Sequence, residues 1–273
     1  MLNLSASQIT TFYECNRRWY YTYINRKTKN STGAMDKGSC FHFCHELHYK
    51  DKIGLREIPE AIKERKPEYE SVMPEVFPAF IRYTGDQGGY EIIELNGEPA
   101  IEVNFQLQIA DDITIRGMID RIQQQGVRKY ITDLKVTSSY LNDNFFSKFE
   151  MSIQAMLYSL VGREYFDRLD GFLIDAVQIG KKYDNKIQFF PLLPTIEQFV
   201  SELHRIGKSI IANLDNKDFF IHNYSSCINR YGHRCNFFEV CRAKNEMQEV
   251  ILNSSEFVDY KSPYDKPKEI EDV

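Results

Sequence analysis

The sequence predicts an α/β fold in which a central mixed sheet is flanked by helices. Two patterns carry the prediction. Residues 101–109 alternate Ile101, Val103, Phe105, Leu107 and Ile109 with Glu102, Asn104, Gln106 and Gln108, the period of a half-buried strand. This strand is the first of a three-strand run, and helical apolar spacing brackets that run on both sides, an order that reads as α/β.

Element by element, residues 5–24 read as a helix capped by Ser5 or Ser7, with Ile9, Phe12, Tyr13, Trp19 and Tyr23 as its apolar stripe. Residues 36–50 read as a second helix carrying His42, His45 and Glu46. Residues 54–90, which hold several prolines, read as a helical insert of short helices and loops. After the strand at 101–109 come strands at 113–122 and 128–136, joined by a turn at Gly126. A long helix follows at 145–166, with Phe149, Ile153, Met156, Leu157 and Leu160 on its apolar face. Strands near 172–180 and 186–192, a helix over 195–214 and a cysteine-bearing segment at 225–243 complete the chain. Residues 1–258 are expected to form a single domain, and 259–273, charged and holding Pro263 and Pro267, a flexible tail.

Composition narrows the function classes. With 42% apolar and 14% aromatic residues the chain can fill a large core, so it is not disordered as a whole. Its net charge of -5 excludes a generally basic nucleic-acid-binding surface. Any basic footprint must be local, and Arg17, Arg18, Arg26, Lys27 and Lys29 are the candidates. No apolar run is long enough for a membrane span, and the polar start is unlike a secretory signal, so an intracellular, cytoplasmic protein is expected. Six cysteines in such a compartment point to metal ligation or free thiols rather than disulfides.

The hairpin around Gly126 carries the strongest chemical signal. If Gly126 and Val127 form a two-residue turn, residues whose numbers sum to 253 face each other, and Asp120 then opposes Asp133. Opposed like charges destabilise a strand pair unless something compensates, and a divalent cation does so. Lys135 projects from the same face as Asp133, with the Leu134 carbonyl between them. Two carboxylates, a carbonyl and an ammonium on one strand pair suit phosphodiester hydrolysis. The plain alternative is a surface hairpin with scattered charges, and a one-residue slip would separate the two aspartates.

The segment GMIDRIQQQGVRKYITDLKVTSS, residues 117–139, resembles two motifs of RecB-type PD-(D/E)XK nucleases. Three other segments are similar to motifs of that family and stand in its order: LSASQITTFYECNRRWYY (4–21), GSCFHFCHE (38–46) and QAMLY (154–158). The resemblance implies a restriction-endonuclease-like core. It implies that His42, Asp120, Asp133 and the Leu134 carbonyl hold Mg²⁺ or Mn²⁺, with the histidine favouring Mn²⁺. Lys135 would be the catalytic lysine, Glu46 would help position metal or water, and Gln154 and Tyr158, one helical turn apart, would orient lysine or DNA. His42 rather than His45 is the implied ligand, because only His42 has the spacing from Gly38.

The resemblance extends to the cysteines. Cys15 precedes the nuclease motifs, while Cys227, Cys235 and Cys241 follow them, an arrangement that in some relatives holds a 4Fe–4S cluster. The first gap between the later cysteines is longer than usual, and four thiolates also suit Zn²⁺ or can remain free. A cluster would join the first helix to the C-terminal segment.

The implied activity is a DNA exonuclease acting on single strands or DNA ends in recombination, repair or CRISPR adaptation. Phage origin, a homo-oligomer and a separate helicase or recombination partner are consistent with it. Arg17, Arg18 and Tyr20 are candidate DNA contacts, with core packing as the alternative use of that helix. Two other readings are an inactive DNA-end-binding or scaffold module of the same fold and an RNA-processing nuclease.

Overall fold

The computed structural model describes residues 1–29, 33–86, 88–180, 182–229 and 232–262. In chain order its elements begin with β1 (Leu2–Leu4), α1 (Ala6–Glu14), α2 (Asn16–Trp19), a π-helical turn (Tyr20–Ile24), β2 (Lys27–Lys29) and α3 (Gly33–His45). They continue with a second π-helical turn (Glu46–Lys50), α4 (Ile58–Arg65), α5 (Met73–Thr84), β3 (Glu91–Ile92), β4 (Glu94–Leu95), β5 (Glu98–Pro99) and β6 (Ile101–Ala110). Then come β7 (Ile113–Gln125), β8 (Arg128–Thr137), α6 (Asp143–Ser147), α7 (Ile153–Tyr165), β9 (Gly171–Gln178), β10 (Asp184–Phe190) and α8 (Ile196–Ala212). The last are α9 (Phe238–Arg242), α10 (Asn245–Leu252) and β11 (Phe257–Asp259). Pro263, Pro267 and the rest of the expected tail from residue 263 on lie outside the described residues.

Packing divides the chain into two compact units, one of Met1–Asn30, Gln108–Ile115 and Val200–Val273, the other of Ser31–Leu107 and Arg116–Phe199. The second unit carries the mixed sheet that the sequence predicts. Its strands run in the order β7-β8-β9-β10, with β3 and β6 also pairing with β7. β8 and β9 are parallel, while β7–β8 and β9–β10 are antiparallel. Gly126 turns the β7–β8 hairpin at φ 60°, a left-handed conformation open to glycine. The register runs from Gln125 opposite Arg128 to Arg121 opposite Thr132, so the expected sum of 253 holds.

Side-chain alternation splits this unit's core. Ile131 of β8 and Phe172, Ile174 and Ala176 of β9 pack with Phe145, Phe149 and Tyr158. On the opposite parity, Leu134 and Val177 join Cys40, Phe41, Cys44, Val76 and Phe80 from α3 and α5. Helices thus cover both faces. Pro59 and Pro74 sit in the first turns of α4 and α5, where a missing N–H leaves no helical bond unmade.

Two expected helices are interrupted. The helix over 5–24 keeps its Ser5 cap, but Cys15 breaks it with extended backbone (φ -165°, ψ 111°) before α2. The helix over 145–166 is two helices, because Asn142 caps α6 and Ser152 caps α7, each accepting a backbone N–H. The apolar spacing continues across both breaks, which hides them from a periodicity argument.

In the first unit, β1 pairs in parallel with Ile113, Thr114 and Ile115. Trp19 stacks on Phe220 at 5.5 Å between centroids, and Tyr21 packs on Phe237 at 5.3 Å. The candidate basic patch is largely neutralised inside this unit. Lys27 pairs with Asp259 at 3.0 Å and Lys29 with Glu256 at 3.3 Å, while Arg18 binds Glu14. Arg17 is buried, its Nε donating to the Phe220 carbonyl at 2.7 Å.

A buried ionic network crosses the α3/α5 side of the sheet in the second unit. Arg121 and Asp175 are 0% and 1% exposed and form a direct ion pair. Arg121 also donates to the Tyr83 hydroxyl and to Nε2 of His45 at 3.1 Å. Asp175 accepts from Tyr83 at 2.8 Å and from Asn185 at 2.8 Å. Burial first, and then the Arg121 charge, holds His45 well below the usual imidazole range, so it stays neutral and accepts. Removing one partner strands a buried charge. Arg121→Met is therefore expected to lower unfolding free energy by about 3–5 kcal/mol, measured by urea denaturation; a loss under about 1 kcal/mol, typical of an exposed pair, would show the network to be dispensable.

Candidate functional site

One step past the last Arg121–Thr132 pair, side-chain chemistry replaces the strand ladder. The Asp120 carboxylate accepts the Leu134 backbone N–H at 2.7 Å. Ile119 and Ile122, three residues apart, enter the same core cluster, so strict alternation is interrupted across Asp120 and Arg121. Gly117 is required nearby because the Phe105 ring occupies the space of a Cβ there.

His42, on α3, donates its Nε2–H to the Leu134 carbonyl, 3.0 Å away. A carbonyl only accepts, so Nε2 carries the proton and Nδ1 faces the acids. Nδ1 lies 3.7 Å from Glu102 and 3.8 Å from Asp120. One ligand atom from each of His42, Glu102 and Asp120 falls within 4.8 Å of the others, a group able to hold a metal ion. These are borderline and hard donors suited to Mn²⁺ or Mg²⁺.

Glu102 is the residue that sequence reasoning missed. Its place among the polar positions of β6 reads as a solvent face. The strand instead takes φ 52° there, a left-handed conformation unusual for a non-glycine residue. Such conformations concentrate at functional sites, where surrounding structure sustains them.

Asp133 is buried on the adjoining strand and held from three sides. Tyr158 donates to Oδ1 at 2.8 Å, Gln154 donates to the same oxygen, and Lys135 Nζ stands 2.7 Å from Oδ2. Burial, and then Asp133, pushes the Tyr158 hydroxyl well above its usual range, so it remains a donor. Burial alone would lower Lys135, but Asp133 and Asp120 outweigh it and keep the ammonium charged. The structure therefore brings His42, Asp120, Asp133, Leu134, Lys135, Gln154 and Tyr158 together, and places His45 in the Arg121 network instead. Glu46 lies in the π-helical turn after α3, with Lys50 as its ion-pair partner at 3.9 Å.

In the first unit, Cys15, Cys227, Cys235 and Cys241 do not form a single-ion site. Asn223 links two of them, its N–H meeting the Cys15 sulfur at 3.5 Å and its carbonyl the Cys227 thiol at 3.8 Å. Cys235 and Cys241 pack against the cluster of Tyr21, Phe237 and Val240. Burial, followed by the charges of Cys235, Cys15 and Cys227, pushes the Cys241 thiol up to about 12. Among the described residues, no three of these sulfurs lie within 4.8 Å of one another. Arg18 lines a polar cleft of about 350 Å³ with Thr11, Thr22, Thr28, Asn229 and Arg234, while Tyr20 packs on Phe220 at 4.9 Å.

The electrostatics of the acidic group fix its proton traffic. Burial lowers His42, but Asp120, Glu102 and Asp133 outweigh that and raise the imidazole to about 9. Burial, with Asp133 and Glu102 adding to it against the opposing pull of His42, raises Asp120 to about 6. Between these values a protonated His42 stands beside an ionised Asp120, and a metal ion needs the imidazole neutral. Mn²⁺ affinity is expected to rise with pH through this range and to level off above about pH 9. Calorimetry near neutral pH in buffers of different ionisation enthalpy should register about one proton released per ion; pH-independent affinity with no proton release would exclude His42 as a ligand.

Comparisons with known proteins give the chain's family. Residues 3–242 match the sequence model of the PD-(D/E)XK nuclease superfamily. The fold is similar to the crystal structure of a presumed exonuclease from Eubacterium rectale, at 13% identity and TM-score 0.47, covering 93% of each chain. It is also similar to that of SSO0001, at 12% identity and TM-score 0.29, covering 73% of this chain and 85% of the other. A search of curated proteins finds no match. The chain belongs to the PD-(D/E)XK nuclease superfamily.

Proposed function

We propose that the chain is a divalent-metal-dependent deoxyribonuclease, cutting single strands or DNA ends as an exonuclease. The observation that carries the reading is the convergence of His42, Glu102 and Asp120 within ligand range beside β8, the strand that presents Asp133 and Lys135. The DNA substrate and the exonuclease mode are carried by the motif resemblance.

In this reading His42 Nδ1, Glu102 and Asp120 hold the ion, and the second lone pair of the Leu134 carbonyl is available to it. When bound, Mg²⁺ or Mn²⁺ supplies Lewis-acid polarisation of the phosphoryl oxygen and a water of lowered pKa. The Leu134 carbonyl fixes the His42 tautomer, so Nδ1 stays presented as a lone pair once deprotonated. Lys135 offers N–H donors that orient the attacking water and balance charge growing on the phosphate. Gln154 and Tyr158 both donate to Asp133 Oδ1, which leaves Oδ2 to face Lys135. Gly38, one turn before His42, has open space where a Cβ would stand, so the protein's own packing does not require it. In this reading that open space lets a nucleic-acid backbone approach α3 closely.

We further propose that the four cysteines hold an iron–sulfur cluster. A single zinc ion with bonds of about 2.3 Å needs sulfurs in mutual contact, which they are not. A multi-iron cluster takes each thiolate on a different metal atom and so accepts wider spacing. Of the candidate DNA contacts, Arg18 keeps a cleft-facing position, whereas Arg17 is occupied inside the unit.

Two experiments test these readings. End-labelled single- and double-stranded DNA, incubated with Mg²⁺ or Mn²⁺, should be cut by the wild type, while Lys135→Ala and Asp120→Ala should lose at least about 100-fold in rate. A wild type inert with every metal, or a Lys135→Ala variant of full activity, would overturn the nuclease site, and cleavage confined to RNA would reassign the substrate. Protein purified without oxygen should be brown and contain iron, and Cys235→Ser should abolish both; colourless, iron-free, active protein would exclude the cluster.

A further inference from the structure

The connection from β8 to α7 leaves the sheet after Thr137, two residues past Lys135, and returns in time for Gln154 and Tyr158 to reach Asp133. Its middle is a short helix, α6, whose Phe145 and Phe146, with the following Phe149, are buried in the core. Lys186 ties the start of this connection down through the Leu141 carbonyl at 2.6 Å. Aromatic anchoring and this tie make the segment a fixed rim.

Lys148 stands on that rim. Its ammonium lies 3.9 Å from the centre of the Phe145 ring and 4.9 Å from that of Phe149, a cation–π seat formed by two buried rings. Among the described residues no carboxylate pairs with it, although Asp143 and Glu150 belong to the same segment. Partial burial, and then the charge of Lys135, hold its ammonium below the usual lysine range. A lysine held on two ring faces without an acidic partner, on the connection that goes on to bring Gln154 to Asp133, is an unfavourable arrangement in the isolated protein. It becomes favourable when an anion lies beside it.

We infer that Lys148 grips a backbone phosphate next to the scissile one, so that two ammonium groups set the position of the strand over the catalytic centre. The phosphodiester of a nucleic-acid strand is the anion that supplies a second charge beside the reacting one. This inference rests on the nuclease reading and assigns a substrate contact within it. Lys148 binds the strand and takes no part in bond breaking, and the Phe145 and Phe149 faces keep its side chain from collapsing onto Asp143 or Glu150.

The test is fluorescence anisotropy of a labelled single-stranded DNA oligonucleotide against the full chain, with Ca²⁺ in place of Mg²⁺, across a KCl series, beside steady-state cleavage in Mg²⁺ or Mn²⁺. Lys148→Ala should weaken binding roughly five-fold at low salt and reduce the slope of log affinity against log salt by about 0.7, the share of one phosphate on a single strand. KM should rise with kcat within about two-fold, since the lost contact is present in ground state and transition state alike. Lys148→Arg should restore the salt slope, and the melting temperature of both variants should stay at the wild-type value. An unchanged salt slope and KM in Lys148→Ala, while the wild type binds and cuts, would overturn the Lys148 contact and leave the nuclease reading standing. A fall in kcat that Lys148→Arg does not rescue would also overturn it, showing a structural role. A wild type that neither binds nor cuts DNA would overturn both.

Discussion

Carboxylates crowded into a poorly solvated space govern the second unit. Glu102, Asp120 and Asp133 converge where water screens them little, and their mutual repulsion must be offset within a few ångströms. Each neighbouring group can be read as an answer to that constraint. His42 takes up a proton, Lys135 keeps its own, and Tyr158 and Gln154 donate hydrogen bonds to Asp133. The Leu134 N–H turns from the strand ladder to the Asp120 carboxylate. The same negative potential that the isolated protein has to balance is what draws a divalent cation. Proton and metal are therefore competing solutions to one electrostatic problem.

A second set of charges lies across the sheet. Arg121 follows Asp120 directly, and His45 lies three residues after His42, so the buried network joins the strand that carries one acidic residue to the helix that carries the histidine. Ion pairing contributes little net stability when it must first be desolvated, but it is unforgiving of misplacement. The value of such a network is geometric: it fixes α3 against β7 at the level where His42 and Asp120 meet.

Much of this was legible in the sequence. The period of two, the turn at Gly126 and the numerical register placed Asp120 near Asp133 before any coordinates, because hairpin geometry follows from local rules. The motif spacing favoured His42 over His45 as the ligand; in the structure His42 stands beside Asp120, while His45 accepts from Arg121. Glu102 was not legible, since it occupies a polar position of an alternating strand and its left-handed φ is imposed by tertiary contacts. Asp175 offered a signal that went unread: it is a lone carboxylate in GFLIDAVQIG, a segment otherwise apolar enough to be buried, and a buried acid needs a buried base. The helix breaks at Cys15 and before Ser152 were invisible because capping, rather than periodicity, decides them.

The first unit is assembled from three separated stretches, Met1–Asn30, Gln108–Ile115 and Val200–Val273. That discontinuity reaches into biosynthesis. Trp19 and Tyr21 find their aromatic partners Phe220 and Phe237 only when residues beyond 200 have been made. At about 5–20 residues per second, the ribosome delivers those partners roughly 10–40 seconds after the first thirty residues emerge. Through that interval the aromatic-rich segment of residues 1–30 remains without these partners while the second unit is being translated. The chain's exposure to misfolding and to chaperone capture is thus set by the order of its segments as much as by the stability of the finished fold.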